Sequence, residues 1–310
     1  MQTILGANGQ IATELARELK ARYTEHLRLV SRNPRRVNAT DELVCANLLD
    51  AAQTLAAVQG SEIVYFTAGL PPDTEMWEQQ FPTMLKNALD AARAAGAKFV
   101  YFDNTYMYPQ TAQLQTEDIH FAPVGRKGRV RAAMAEMVLQ EMKRGEIAVL
   151  IARAPEFYGP GNTQSITNTL VIDPLKQGHK AKIPVRDDSL RTLIWTPDAS
   201  RALALLGNTP DAYGQTWHLP CWEPRLTYQQ FAKLAGEVFG QTASYRVLPR
   251  WLLSTVGLFS KQVGELKELL PRYAQDNLFD SSKFKQRFPD FQVTSYRQGL
   301  EQIFCEAKAS

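Results

Sequence analysis

The residues best suited to chemistry stand at the start of the chain. In "MQTILGANGQIATELARELKARY" a short apolar run (Thr3, Ile4, Leu5) passes through Gly6, Asn8 and Gly9 into Gln10 and Ile11. From there Ile11, Leu15 and Leu19 fall at helical spacing. Strand, glycine turn and helix in that order make an anion site. Gly6 permits the tight turn and Gly9 lets the backbone approach a phosphate, while the amides opening the helix supply donors and partial positive charge. The next strand ends in "VSRNPRR", with Ser31, Arg32, Arg35 and Arg36 where a carboxylate would serve to bind ribose hydroxyls. A guanidinium there pairs with a phosphorylated ribose instead. The two stretches together predict a phosphorylated adenine dinucleotide, NADP, with NAD as the alternative. A glycine-turn protein that binds no nucleotide is the blander account of the same residues.

These residues need a scaffold, and the apolar runs outline one. "HLRLVS" (His26 to Ser31), "ELVCANL" (Glu42 to Leu48), "EIVYFTAG" (Glu62 to Gly69), "AKFVYFDN" (Ala97 to Asn104) and "IAVLIARAP" (Ile147 to Pro155) read as strands. Helical stretches lie at about Met76 to Ala95 and at Lys127 to Lys143. Continuous apolar strands alternating with helices predict a doubly wound parallel α/β sheet, a Rossmann domain over 1–155. Beyond Pro155 the rhythm breaks. "SLRTLIW" and "GQTWHLP" read as isolated strands and "TYQQFAKLAGEVFG" as an amphipathic helix. This predicts a smaller α+β lobe over 156–310 that binds substrate, some of its segments returning to the first domain, with a ligand cleft between the two.

Composition narrows the function. Lys and Arg number 35 against 32 Asp and Glu, a net charge of +3 over 310 residues, which argues for neither a nucleic-acid nor a membrane partner. Three scattered cysteines and four scattered histidines suit a reducing compartment and predict no metal site. The first strand leaves no room for a leader and no apolar run reaches a membrane span, so a cytoplasmic protein is expected.

Taken together, the chain resembles the extended short-chain dehydrogenase/reductase family, which includes nucleotide-sugar epimerases and dehydratases. "LGANGQIA" is similar to the family's TGxxGxxG segment, with Leu5 in place of the threonine and Ala12 in place of the last glycine. "ANLLDAAQTLAAVQGSEIVYFTAG" resembles the stretch that meets adenine. The resemblance implies cofactor contacts from Asn47 and Leu48 and from the small pair Ala68 and Gly69. "IARAPEFYGPG" and "SLRTLIWTPDASRAL" resemble the family's RPxxVYGPG loop and its R-x-F-I-x-V segment. By that match Glu156 and Tyr158 face substrate, and Arg191 clamps the diphosphate of a nucleotide sugar. Glu156 stands where the family has Asn, and a carboxylate repels a diphosphate. A smaller or cationic carbonyl or hydroxyl compound is therefore the other substrate class.

The proton-handling segment departs from the family. Its Ser or Thr after the fifth strand is Asn104 here, followed by Thr105, in "DNTYMYP". Its YxxxK pair falls on "GRKGRVRAAMAE", which contains no tyrosine. One register places Lys127 and Arg131 at the pair, with both side chains toward the nicotinamide ribose; the other places Gly128 and Ala132. Lys127 with the cations around it, or Tyr106 in the loop after the fifth strand, is left to move the proton, while Tyr108, in the same loop and expected close to substrate, matches a family tyrosine that is chiefly structural. Two readings follow: an NAD(P)-dependent oxidoreductase or epimerase-like enzyme with an atypical site, or a non-catalytic dinucleotide sensor. The apolar residues of "VRAAMAEMVLQEM" suit either a homodimer face or the helix's core side.

Overall fold

The computed structural model describes residues 1–161, 163, 165–259, 264, 265 and 267–309. The chain divides into two compact units, each built from several segments. The first comprises Met1–Met107, Phe121–Ala154 and Ala199–Leu219, and the second Tyr108–His120, Pro155–Asp198 and Pro220–Ser310.

The apolar runs of the first half become the strands of the first unit: β1 (Gln2–Leu5), β2 (Leu27–Ser31), β3 (Glu42–Cys45), β4 (Ile63–Phe66), β5 (Lys98–Asp103) and β6 (Val149–Arg153). Every residue of β1, β4 and β6 is buried, as a parallel sheet covered on both faces requires. Helices α1 (Gln10–Arg22), α2 (Ala51–Val58), α3 (Thr74–Ala95) and α4 (Gly125–Arg144) alternate with them. Asp73 caps α3 by accepting from the Met76 amide over 3.0 Å, and Gly96 ends it in the left-handed conformation at φ +63°. The core between this face of the sheet and α2, α3 and α4 is filled by Phe66, Phe99, Tyr101, Leu85 and Val138.

One strand corrects the sequence reading. Thr216–His218, expected as an isolated strand, pairs in parallel with Ile151–Arg153 and completes a seven-stranded sheet beside β6. Outward from it the order is β6, β5, β4, β1, β2, β3. Three residues carry too little pattern to show that they extend a sheet whose other strands lie over sixty residues earlier. β3 also stops at Cys45 rather than Leu48, because Ala46 and Leu48 turn into the core and Asp50 caps α2.

The second unit is built from short ladders. Glu156–Tyr158 pairs in parallel with Leu193–Trp195, and Ala181–Pro184 with Tyr245–Leu248, while Leu190–Arg191 runs antiparallel to Leu226–Thr227. "SLRTLIW" is therefore two strands. They part at Thr192, whose hydroxyl donates to the Asn277 carbonyl over 2.6 Å.

Candidate functional site

The opening turn lies at the ends of β1 and β4. Gly6 sits at φ +90°, and a Cβ there would lie 2.4 Å from Ala68 Cα and 2.6 Å from Ala68 N. No side chain fits, so glycine is required twice over, by conformation and by contact. Gly9 is the residue before α1 and offers no capping side chain, and the first turn of α1 holds no acid. Gln10 and Ile11 open the helix half-buried, with the Ile11 carbonyl accepting from Ser200. Gly69, three residues past β4, is exposed with open space where a side chain would stand. The Gly6 and Ala7 amides donate to the Val30 carbonyl and the Gly9 amide to that of Gly6. The group that fits a pyrophosphate is therefore the start of α1, with neither a capping side chain nor an acid in its first turn, beside the small residues Ala68 and Gly69.

The neighbouring loop presents exposed Arg32 and Arg35. Arg36, by contrast, is folded back, its guanidinium donating to the Ala39 and Asp41 carbonyls over 2.9 and 2.6 Å. Asn47 is exposed and accepts from the Leu49 amide. The Leu48 side chain belongs to the hydrophobic core, so only its backbone remains for the cofactor contact expected of it.

The residues expected to handle substrate form a second cluster at the end of β5. Asn104 turns its Oδ1 to accept from the Tyr106 amide over 2.9 Å, leaving its Nδ2 to donate elsewhere. Thr105 is buried and Tyr106 half-buried. Lys127, in the first turn of α4, is only 2% exposed, with Nζ 5.9 Å from the centre of the Trp77 ring. That ring stacks on Tyr106 at 5.9 Å and 17°. Trp77 therefore joins Tyr106 to Lys127, a role invisible in sequence, where a tryptophan on an amphipathic helix reads as core. A Cβ on Gly128 would lie 3.0 Å from the Tyr106 carbonyl oxygen, which places the first turn of α4 directly on that loop.

The cations around Lys127 diverge. Arg126 binds Glu78 through two nitrogens, Nε over 2.8 Å. Arg131, expected to accompany Lys127, instead donates from Nη2 to Asp103 Oδ1 over 2.6 Å. Asp103 also accepts from Arg153 Nε over 3.1 Å and from the Asn104 amide over 2.9 Å. This buried acid was missed by motif reasoning; its one signal is a charge closing an apolar strand. A guanidinium left unpaired at that depth would cost several kcal/mol, which is why Arg131 turns inward.

In the second unit the substrate candidates are otherwise engaged. Arg191 Nη2 donates to Glu156 Oε2 over 2.7 Å, and Oε1 accepts from the hydroxyls of Tyr228 (2.6 Å), Tyr273 (3.0 Å) and Thr167 (3.3 Å). Burial pushes the Glu156 carboxyl up, but Arg191 and the Tyr228 hydroxyl outweigh it and hold the group below the usual carboxylate range. Glu156 and Arg191, expected to meet substrate separately, meet each other. Tyr158 is a core aromatic packed on Trp195, Phe231 and Tyr296, and burial raises its phenol well above the ordinary value. Tyr108 is likewise buried, at 1% exposure. Both were expected at substrate; packing explains Tyr158 instead, and for Tyr108 the burial agrees with the structural role of the family tyrosine it matches. Among the described residues no group of three His, Cys, Asp or Glu could hold a metal, and no helix is long and apolar enough to cross a membrane.

A glycine turn between β1 and α1 in a seven-stranded parallel sheet defines a Rossmann-like α/β protein. The chain belongs to the NAD dependent epimerase/dehydratase family, whose model matches residues 3–219. Among solved structures it is similar to UDP-glucuronic acid 4-epimerase from Bacillus cereus in complex with NAD, at 16% identity and a TM-score of 0.80 over 100% of this chain and 99% of that one. It is also similar to a double mutant of DesIV, the dTDP-glucose 4,6-dehydratase from Streptomyces venezuelae, with NAD and DAU bound (15%, TM-score 0.78, 99% and 97% covered). MoeE5 in complex with UDP-glucuronic acid and NAD is a third (18%, TM-score 0.79, 99% of each chain). At these identities the likeness is one of fold. No curated protein sequence gives a significant match.

Proposed function

We propose that this chain is an NADP-binding oxidoreductase of the epimerase/dehydratase type, with an atypical proton-handling site. The observation that carries the reading is the approach of Gly6 to Ala68, which leaves a side-chain-free cradle beside the exposed Arg32. NAD in the named complexes of the solved relatives supports a dinucleotide, and the arginine loop favours its 2′-phosphorylated form. When bound, the nicotinamide supplies or accepts a hydride at a substrate carbon. Asn104 Nδ2, with Thr105, holds the substrate oxygen, and Lys127 or Tyr106 moves the proton. The substrate is a small carbonyl or hydroxyl compound. Nucleotide sugars occupy relatives of the same fold, but the bond between Arg191 and Glu156 favours a substrate without a diphosphate here. Three free cysteines suit the cytoplasm as its compartment.

Calorimetry with NADPH, NADP, NADH and NAD tests the cofactor, and incubation of the loaded protein with a panel of carbonyl compounds tests the chemistry. Absence of binding by any of the four at millimolar levels would remove the proposal. A second reading, a non-catalytic dinucleotide sensor, is favoured by the engagement of Arg131 with Asp103 on a helix that has no tyrosine. It predicts different affinities for NADPH and NADP and no turnover with any carbonyl.

A further inference from the structure

The opening turn and the arginine loop are physically tied, and the tie is one residue. Asn8, itself exposed, donates from Nδ2 to the Asn33 carbonyl over 2.7 Å, and its Oδ1 accepts from the Arg35 amide over 3.1 Å. Both ends of its amide are thus committed to the backbone of the loop. Two further bonds fix the same stretch. The Asn33 amide donates to Ser31 Oγ over 3.2 Å, and Cys45 Sγ donates to the Arg32 carbonyl over 3.0 Å. All four bonds engage loop backbone and none engages the guanidinium of Arg32 or Arg35. Those two side chains stand exposed and make no ion pair or hydrogen bond among the described residues.

The loop's acid does not compete with an anion. Asp41 is the one carboxylate between Arg32 and Asp41, and it is 2% exposed, accepting from the amides of Val37 and Asn38. Arg36 is committed to carbonyls of the same loop. What remains is a braced backbone presenting two cations beside the glycine turn.

We infer that Asn8 is a positioning residue for cofactor selectivity, bracing the loop so that Arg32 and Arg35 together grip the 2′-phosphate of the adenosine. A flexible loop would lose conformational entropy on ordering two arginines around a phosphate, and a braced one loses less. This rests on the dinucleotide reading above, and the test separates the two by using cofactor fragments, with no turnover required.

Binding of 2′,5′-ADP and of 5′-AMP is measured by calorimetry at fixed salt. The wild type is expected to bind 2′,5′-ADP at least about tenfold tighter than 5′-AMP, since charge-assisted bonds to a phosphate are the strong ones. Asn8→Ala is expected to weaken 2′,5′-ADP about five- to tenfold while leaving 5′-AMP within about twofold. Arg32→Ala and Arg35→Ala, both at exposed positions, are each expected to show the same selective loss, so the assignment stays testable should Asn8→Ala fail to fold. A residue that merely held the turn in shape would move both ligands equally when replaced, and that result overturns the inference. So does an unchanged ratio in either arginine variant. A wild type that binds neither fragment instead removes the dinucleotide reading itself.

Discussion

Glu156 and Arg191 hold each other inside the second unit, Nη2 to Oε2 over 2.7 Å, with the guanidinium 4.8 Å from the Tyr273 ring centre and 5.7 Å from that of Tyr228. The carboxylate thereby ties the strand Glu156–Tyr158 to Leu190–Arg191 and to Tyr228, the first residue of the helix that follows Thr227. Glu156→Gln is expected to lower stability by about 3 kcal/mol, because a buried guanidinium loses its counter-charge. Urea unfolding at neutral pH measures it.

The same carboxylate gives the protein a pH dependence. Its folded value lies below the unfolded one, so its contribution is fully present above about pH 4.5 and is lost as pH falls through the depressed folded value. Stability of the wild type is therefore expected to drop faster below pH 4.5 than that of Glu156→Gln. Parallel curves for the two proteins between pH 6 and pH 3 would remove this assignment.

Gly6→Ala is expected to abolish dinucleotide binding and to destabilise the fold by about 2 kcal/mol or more, through both the left-handed backbone and the clash with Ala68. Adding Ala68→Gly is expected to give no rescue, because the two nearest atoms belong to the Ala68 backbone. Thermal unfolding and calorimetry on the single and double variants check both statements.

Asp103→Asn leaves two buried guanidinium groups facing one neutral side chain, at a cost of about 3–5 kcal/mol. The double variant Asp103→Asn with Arg131→Met is expected to recover part of that loss, since the second change removes one of the stranded charges. A double-mutant cycle measured in denaturant gives the coupling, expected to exceed 1 kcal/mol in magnitude.

Replacing Lys127 by Ala and Tyr106 by Phe together is expected to lower any carbonyl reduction by at least about a hundredfold, the usual scale for losing a positioned acid. NADPH affinity is expected to stay within about threefold. Turnover unaffected by the pair would take the proton from both.

The sequence by itself determined the first unit's sheet through β6, the strand, turn and helix at its start, and the family, because those features are written in local periods and in short motifs. Short runs rich in β-branched and aromatic residues favour strands, and Gly6 can take the positive φ that the turn before α1 requires. What only the tertiary structure decided were the choices among partners. Asp103 takes Arg131 and Arg153, 28 and 50 residues away, and Glu156 takes Arg191 across 35. Trp77 couples Tyr106 to Lys127, and Thr216–His218 joins the first sheet. A buried charge must find its opposite among whatever groups the folded backbone brings near, and no spacing along the chain encodes which of thirty-five cations that will be.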